Sequence, residues 1–445
     1  MSAPHRLWRN ARYLTWLVSD TSKGLAAALF GFAIPLLALI VTNDPAQAGI
    51  IGGAGMVARL LTTLAGGILA DRHPRILLML IGSLLGVLLS GAFVMLALAD
   101  ALTFATLLVI DVLLAARSGL FDVAGESAIK EIVPDEAMGR AQAANQGRDA
   151  ALQLAGGPLG GLLLGVGGWL VGVVMTACHL VAAATAWMLR REVRAAGMVD
   201  SGADADATGS DEHAIDAPGV EGAAAPAPAT AAKPNAWREI REGFGWLLSR
   251  PDLSGVLFIT TIINLGFNAA ITTVIYSLQQ EGHSEVLIGT LSAAIGAVML
   301  AGAVVAPLLI PRIGAGTLTV LSLACTTAGA AAIALIREPW PIAAVLAASV
   351  FLLPSLNAAL LGYFMVATPS ALLGRANSAA GVMSMGALPL APLIAGFGLT
   401  WIGREGTILL CAALCLVSVV LALGNRSLRA LPVESGWAAH AKRFE

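Results

Sequence analysis

The chain has 445 residues, of which 57% are hydrophobic and only 12% charged, and its net charge is -2. A soluble globular chain carries about 25% charged residues, so this balance excludes an ordinary water-soluble domain, and the lack of basic excess excludes a surface built for nucleic acid. Lipid offers no water to stray backbone groups, so only helices or closed barrels span it; the apolar runs here are roughly 20 residues long, which selects helices.

Twelve spans are expected, near 13–42, 48–70, 76–98, 102–127, 140–165, 168–189, 252–278, 285–309, 315–336, 340–366, 376–400 and 406–424. His5, Arg6, Arg9 and Arg12 precede the first without a small-residue cleavage site, so it reads as a retained span and not a removable signal. Span 1 carries Asp20 and Lys23 and span 2 carries Arg59. Span 4 carries Asp111, Arg117, Asp122 and Glu126, and span 5 carries Arg148 and Asp149. A charge at the bilayer centre costs about 2.5–3.5 kcal/mol on insertion scales, so these nine side chains need compensation or a function. Spacing places Asp20 and Lys23 on one face, and Asp111 and Asp122, eleven residues apart, on nearly one azimuth. His179 stands alone in apolar span 6 and is expected as a packing residue.

Residues 195–232 hold seven acidic residues, no Lys or Arg, and many Ala, Gly and Pro, a composition unable to build a core. A disordered cytoplasmic linker is therefore expected over 191–236, between an N-terminal six-helix bundle (1–190) and a C-terminal one (251–430), with a tail over 431–445. Trp237, Ile240, Phe244, Leu247 and Leu248 recur at helical spacing, so residues 237–250 should form an amphipathic helix, lying in the interface or packed on the bundle end. Spans of the second half read as apolar and free of ionisable groups. Their amides Asn264, Asn268 and Asn357, with Phe364, are candidates for a substrate pocket or for interhelical hydrogen bonds.

Lys and Arg between spans test orientation. They crowd into alternate segments (Arg72, Arg75, Lys130, Arg140, Arg190, Arg312 and Arg375 among them), whereas the other side holds Arg337 and Arg404, so both termini are expected inside. Cys178, Cys325, Cys411 and Cys415 fall in spans with no paired or metal-type spacing. No HExxH, GxSxG or glycine-rich phosphate loop occurs, so neither a metal, a cofactor nor an enzyme is expected. Pro134-x4-Gly139-Arg140-Ala141 returns as Pro369-x4-Gly374-Arg375-Ala376, an offset of 235, at the entry to the fifth span of each half. Parallel halves around a midplane site are a known transporter plan.

The loop after span 2 reads Gly67-Ile68-Leu69-Ala70-Asp71-Arg72-His73-Pro74-Arg75. It resembles the major facilitator signature G-x-L-a-D-R-x-G-R followed by a base, with Pro74 and Ile76 departing from it. The resemblance implies an all-α fold of two pseudo-symmetric six-helix bundles. It also implies that Asp71 faces the N-terminal end of span 11, and that Arg75 pairs with Asp122 or Glu126 across a gating loop containing Gly67 and Arg72. Span 5 carries Gly156-Gly157-Pro158-Leu159-Gly160-Gly161, resembling the family's antiporter signature G-P-x-x-G. Glycine and proline make a kinked, close-packing face, for which the four-residue stripe Gly289, Ala293, Ala297, Ala301 on span 8 is the expected partner across the halves.

Cavity-lining helices in the family are 1, 4, 7 and 10, which makes Asp20, Asp111 and Arg117 candidates for proton coupling, with Lys23 and Arg59 as neighbours. Arg117 matches the arginine of a helix-4 signature linked to proton transfer; Leu120 and Phe121 stand where it has Gln and Gly. Along its length the chain is similar to the branch of drug:proton antiporters containing macrolide efflux proteins and the enterobactin exporter. The expectation is a bacterial plasma (inner) membrane monomer that exports a small amphiphilic compound, such as a drug, siderophore or secondary metabolite, against protons. Static salt bridges are the alternative role for the charges. A sodium-driven or uncoupled facilitator, or a non-transporting membrane sensor, is the alternative for the protein.

Overall fold

The structure, a computed structural model, describes residues 9–207, 236–369 and 372–444. Among these residues the regular structure is helical: α1 (Ala11–Thr42), α2 (Pro45–Arg72), α3 (Arg75–Leu98), α4 (Phe104–Ile132), α5 (Asp135–Val166), α6 (Gly168–Ala207), α7 (Ala236–Ser249), α8 (Pro251–Gln280), α9 (Glu285–Leu309), α10 (Ala315–Ile333), α11 (Pro339–Val350), α12 (Leu353–Ala367), α13 (Leu373–Gly386), α14 (Leu390–Gly424), α15 (Arg426–Arg429) and α16 (Trp437–Ala441). Helix α6 continues to Ala207, past residue 191, where the linker was expected to begin.

Local chemistry sets the helix ends. The Asn10 side chain accepts from the Arg12 and Tyr13 amides at the start of α1, and Asn43 closes that helix at φ 49. Asp44 caps α2 ahead of Pro45, Thr103 and Thr106 form a reciprocal capping box on α4, and Ser284 caps α9. These caps make sharp reversals where short polar loops meet apolar runs.

Eleven described stretches are long and apolar enough to cross a membrane, the last being Arg375–Gly424 with 50 residues. At 1.5 Å per residue it would extend about 75 Å, more than twice a hydrocarbon core of about 30 Å. It reverses at Gly403, whose φ of 70 and ψ of -178 only glycine adopts readily, giving twelve crossings. Two crossings expected to be continuous are broken: the tenth between α11 and α12, ahead of Pro354, and the eleventh at Pro389 between α13 and α14. Proline removes a helical hydrogen bond, and such breaks persist in a membrane only inside protein or beside a cavity.

In the first half α2 packs on α4, and α3 and α1 pack on α6; in the second, α14 packs on α8 and α10. The halves meet through α5 against α9 and α2 against α14. The glycines locate that seam. A Cβ on Gly157 would lie 3.0 Å from the Gly289 carbonyl oxygen; one on Gly53 would lie 3.0 Å from the Pro389 oxygen; Gly161 faces the Glu285 carbonyl, and Gly49 and Gly396 face each other. These positions lie at the membrane face opposite the α2–α3 loop. Toward the loop face, Gly67, Gly139, Gly147 and Gly381 meet nothing within 4 Å. Among the described residues, the close glycine contacts between the halves therefore gather at one end.

Candidate functional site

Two adjoining recesses lie on the first half. One, of about 750 Å³, is lined by Phe30, Ile34, Met56, Leu114 and Met175 together with Arg59, Asp111, Arg117, Ser118 and His179. The second, about 960 Å³, lies toward the loop face and is lined mainly by polar and charged side chains: Asp20, Lys23, Arg59, Asp122, Glu126, Arg148, Asp149 and Gln153. Arg59 borders both. An apolar chamber joined to a charged vestibule suits an amphiphile.

The charges sort into tied and untied groups. Asp20 is buried, with Oδ1 3.0 Å from Lys23 Nζ and Oδ2 2.8 Å from an Arg148 guanidinium nitrogen. Arg148 also reaches Asp149 at 2.8 Å and lies over the Trp16 ring, whose Nε1 donates to the Gly125 carbonyl at 2.9 Å. This network pins α1, α4 and α5. Asp122 accepts from Ser118 and sits 3.8 Å from Arg117, which donates to the Gly82 carbonyl.

Asp111 differs. It is 3% exposed, belongs to no ion pair among the described residues, and its Oδ2 has no hydrogen-bond partner. Gly55 makes room for it, since a Cβ there would overlap the carboxylate. Across the seam, Tyr276 of α8 is fully buried with its hydroxyl also unpartnered, and lies within electrostatic range of Asp111. His179 packs against Gly86 with Nδ1 unpartnered.

Several expectations need correction. Arg75 reaches Glu131 at 3.3 Å and the Ser127 carbonyl at 3.2 Å, not Asp122 or Glu126. The loop is so short that the first residue of α3 meets the last turn of α4, a full turn beyond Glu126. The Asp71 side chain lies outside the described residues, while Arg72 is exposed. Gly156 packs on Ala28 of its own half; Gly157, Pro158 and Gly161 face α9. The α9 positions that meet the α5 glycines and Leu154 are Glu285, Gly289, Ser292 and Gly296, with Ala297 and Ala301 exposed. A strict four-residue step drifts about 40° per step on a helix of 3.6 residues per turn, so a straight seam alternates steps of four and three. Phe364 is core, 8% exposed; Asn264, Asn268 and Asn357 are exposed, with Asn268 donating to the Asn264 carbonyl at 2.8 Å.

The second half is also not free of buried charge. Arg250 and Asp252, at the first turn of α8, form a bidentate pair with both bonds at 2.9 Å, and the Tyr363 hydroxyl donates to Asp252 at 2.6 Å. The tail seals this cluster: Phe444 packs on Arg250, His440 stands edge-on to Tyr363, and Trp437 covers Gly362. Hydrogen bonding to Asp252 holds the Arg250 guanidinium above its ordinary range. The adjacency of Arg250 and Asp252 was visible in the sequence; their burial under residues almost two hundred positions later was not. Helix α7 packs on the start of α13, with Glu242 2.8 Å from Arg375, Gly243 against the Arg375 backbone and Leu247 fully buried. It is thus a helix on the bundle end; the side chains of Trp237 and Ile240 lie outside the described residues.

With this geometry, the comparison with known families is decisive: the Major Facilitator Superfamily profile matches residues 22–388. The chain belongs to that superfamily. Similar solved structures agree on the fold of this major facilitator protein. A bacterial homologue of the iron transporter ferroportin in an inward-facing state superimposes with a TM-score of 0.66 at 12% identity, covering 92% of this chain and 97% of that one. A point mutant of the nucleoside transporter NupG gives 0.64 at 12%, covering 93% and 100%, and a bacterial metal transporter 0.63 at 13%, covering 94% and 99%. No curated protein matches by sequence.

Proposed function

We propose that this major facilitator protein exports a small amphiphilic organic compound by alternating access, and that a proton moves inward through Asp111 in exchange. One observation carries the reading: Asp111 is a buried carboxylate at the close-packed end of the chamber with no partner for its charge. Gaining or losing a proton there changes the charge of the seam between Asp111 and Tyr276, which a coupling site requires. Asp20, the other sequence candidate, is saturated by Lys23 and Arg148 and serves to hold helices together. One proton crossing 100 mV supplies about 2.3 kcal/mol, enough for roughly a fiftyfold gradient of cargo.

The loop face, which carries nearly all the Lys and Arg, is the cytoplasmic one, in the plasma (inner) membrane of a bacterium, with both ends of a monomer inside. On that assignment the close contacts between the halves lie at the outer end, the arrangement of a state open inward and ready to load. Two structural neighbours are named for metals, but among the described residues no group of three or more His, Cys, Asp or Glu side chains is placed to hold a metal ion. A chamber lined by Phe30, Met56 and Met175 fits an organic body instead.

Accumulation of fluorescent amphiphiles in an efflux-deficient host, with and without a protonophore, tests this. The wild-type chain should lower accumulation in a protonophore-sensitive, sodium-independent manner, and Asp111→Asn should abolish that sensitivity. Undiminished proton-dependent export by Asp111→Asn refutes the coupling role, and dependence on sodium replaces protons with sodium.

A further inference from the structure

We infer that the cargo is an amphiphilic organic anion, and that Arg59 of α2 binds its charged group while its apolar body fills the chamber beside it. The inference rests on the transport reading above and names the cargo class for the same site.

Arg59 lies midway along α2, yet is exposed, and among the described residues its guanidinium makes no ion pair and no hydrogen bond. A charge at that depth is costly unless it faces water or a ligand. Arg59 borders both recesses, so it stands at the junction of apolar wall and charged vestibule. Its position is set by close packing of α2 on α4: Gly119 of α4 abuts the Arg59 carbonyl and Thr62, and Gly66 abuts the Gly119 carbonyl.

Of the acids lining the two recesses, Asp20, Asp122 and Asp149 are engaged, whereas Asp111 and Glu126 make no ion pair among the described residues. Asp122 accepts from Ser118 and faces Arg117, and Asp20 holds Lys23 and Arg148. With Asp111 protonated, Arg59 is the cation of the chamber wall without a partner among the described residues, Arg117 being faced by Asp122, while Phe30, Ile34, Met56 and Met175 supply apolar surface. A planar guanidinium offers paired donors matched to a carboxylate, sulfonate or phosphate.

Equilibrium binding to the purified full chain tests the class with three probes sharing one ring system: 1-naphthaleneacetate, 1-naphthylmethylamine and 1-naphthalenemethanol. The acetate should bind about tenfold more tightly than the other two. Arg59→Gln should erase that preference, Arg59→Lys should keep part of it, and Arg59→Glu should favour the amine. Repeating the titration with phosphatidylglycerol in the micelle separates sources: competition assigns the anion to the bilayer, and its absence to a soluble cargo. Equal or weaker binding of the acetate, binding of none of the three, or an unchanged preference in Arg59→Gln overturns the inference. Binding is read without transport, so loss of proton-driven export with a surviving acetate preference sinks only the coupling proposal. Proton-driven export of the amine alone sinks only this one.

Discussion

Substituting Gly289 should push the protein out of the conformation described here. A Cβ at Gly289 would overlap the Gly157 carbonyl oxygen, with the Pro158 Cα 3.3 Å away; both are backbone atoms that cannot rotate aside. The alanine must therefore part α5 from α9 at the close-packed end. Overpacking of this kind costs about 1–3 kcal/mol, and about 2 kcal/mol moves a two-state equilibrium roughly thirtyfold toward the state in which the seam is open. Alanine's higher helix propensity acts equally in both states and cancels. Gly381→Ala is the control, because nothing lies within 4 Å of it. Spin labels on Val166→Cys and Gln280→Cys, in a background lacking Cys178, Cys325, Cys411 and Cys415, report the gap across the seam. Gly289→Ala should move a substantial population to longer distance, and Gly157→Ala, whose Cβ would sit 3.0 Å from its neighbours, should do so less. Distance distributions for Gly289→Ala matching those of Gly381→Ala would refute the assignment of this seam as the moving contact.

Asp20→Asn leaves Lys23 unpaired and Arg148 held by Asp149 alone, so it should lower unfolding stability by about 2–4 kcal/mol, whereas Asp111→Asn, which breaks no pair, should leave it within about 1 kcal/mol; thermal unfolding of the purified variants distinguishes them. The docked tail should respond to pH through His440. Burial, aided by the Arg443 charge, holds its pKa below the ordinary histidine value. The detached tail therefore takes up a proton first, so docking is at full strength above about pH 6.5 and weakens as pH falls from there toward the lowered value. The protection factor of residues 437–441, with the intrinsic pH dependence of amide exchange divided out, should be lower at pH 5 than at pH 7.5, and His440→Ala should remove the difference; equal protection at both values contradicts the sign.

The fold was largely legible because the bilayer imposes its own rule. Runs of some twenty apolar residues must become helices, and the loop motif, the half-repeat and the distribution of Arg and Lys organise them. Legibility failed where an interaction depends on a neighbour distant in sequence. Asp20 and Asp111 look alike as lone acids in apolar helices, yet one meets Arg148 from α5 and the other meets nothing. The α9 stripe was misassigned because a step of four was followed without the drift of a real helix. Breaks ahead of Pro354 and at Pro389 had a signal, the prolines themselves, which the apolar character of the surrounding runs outweighed.

By itself, then, the chain's sequence determined that it crosses a membrane twelve times in two related halves, because local hydrophobicity and capping settle each helix without reference to the others. Only the tertiary structure decided which charges neutralise one another, that Arg250, Asp252 and Tyr363 lie sealed beneath the tail, and at which end the glycines of the two halves pack closely. Those outcomes depend on the rotation and tilt of helices around one another, and a few tens of degrees separates a buried pair from a carboxylate left alone.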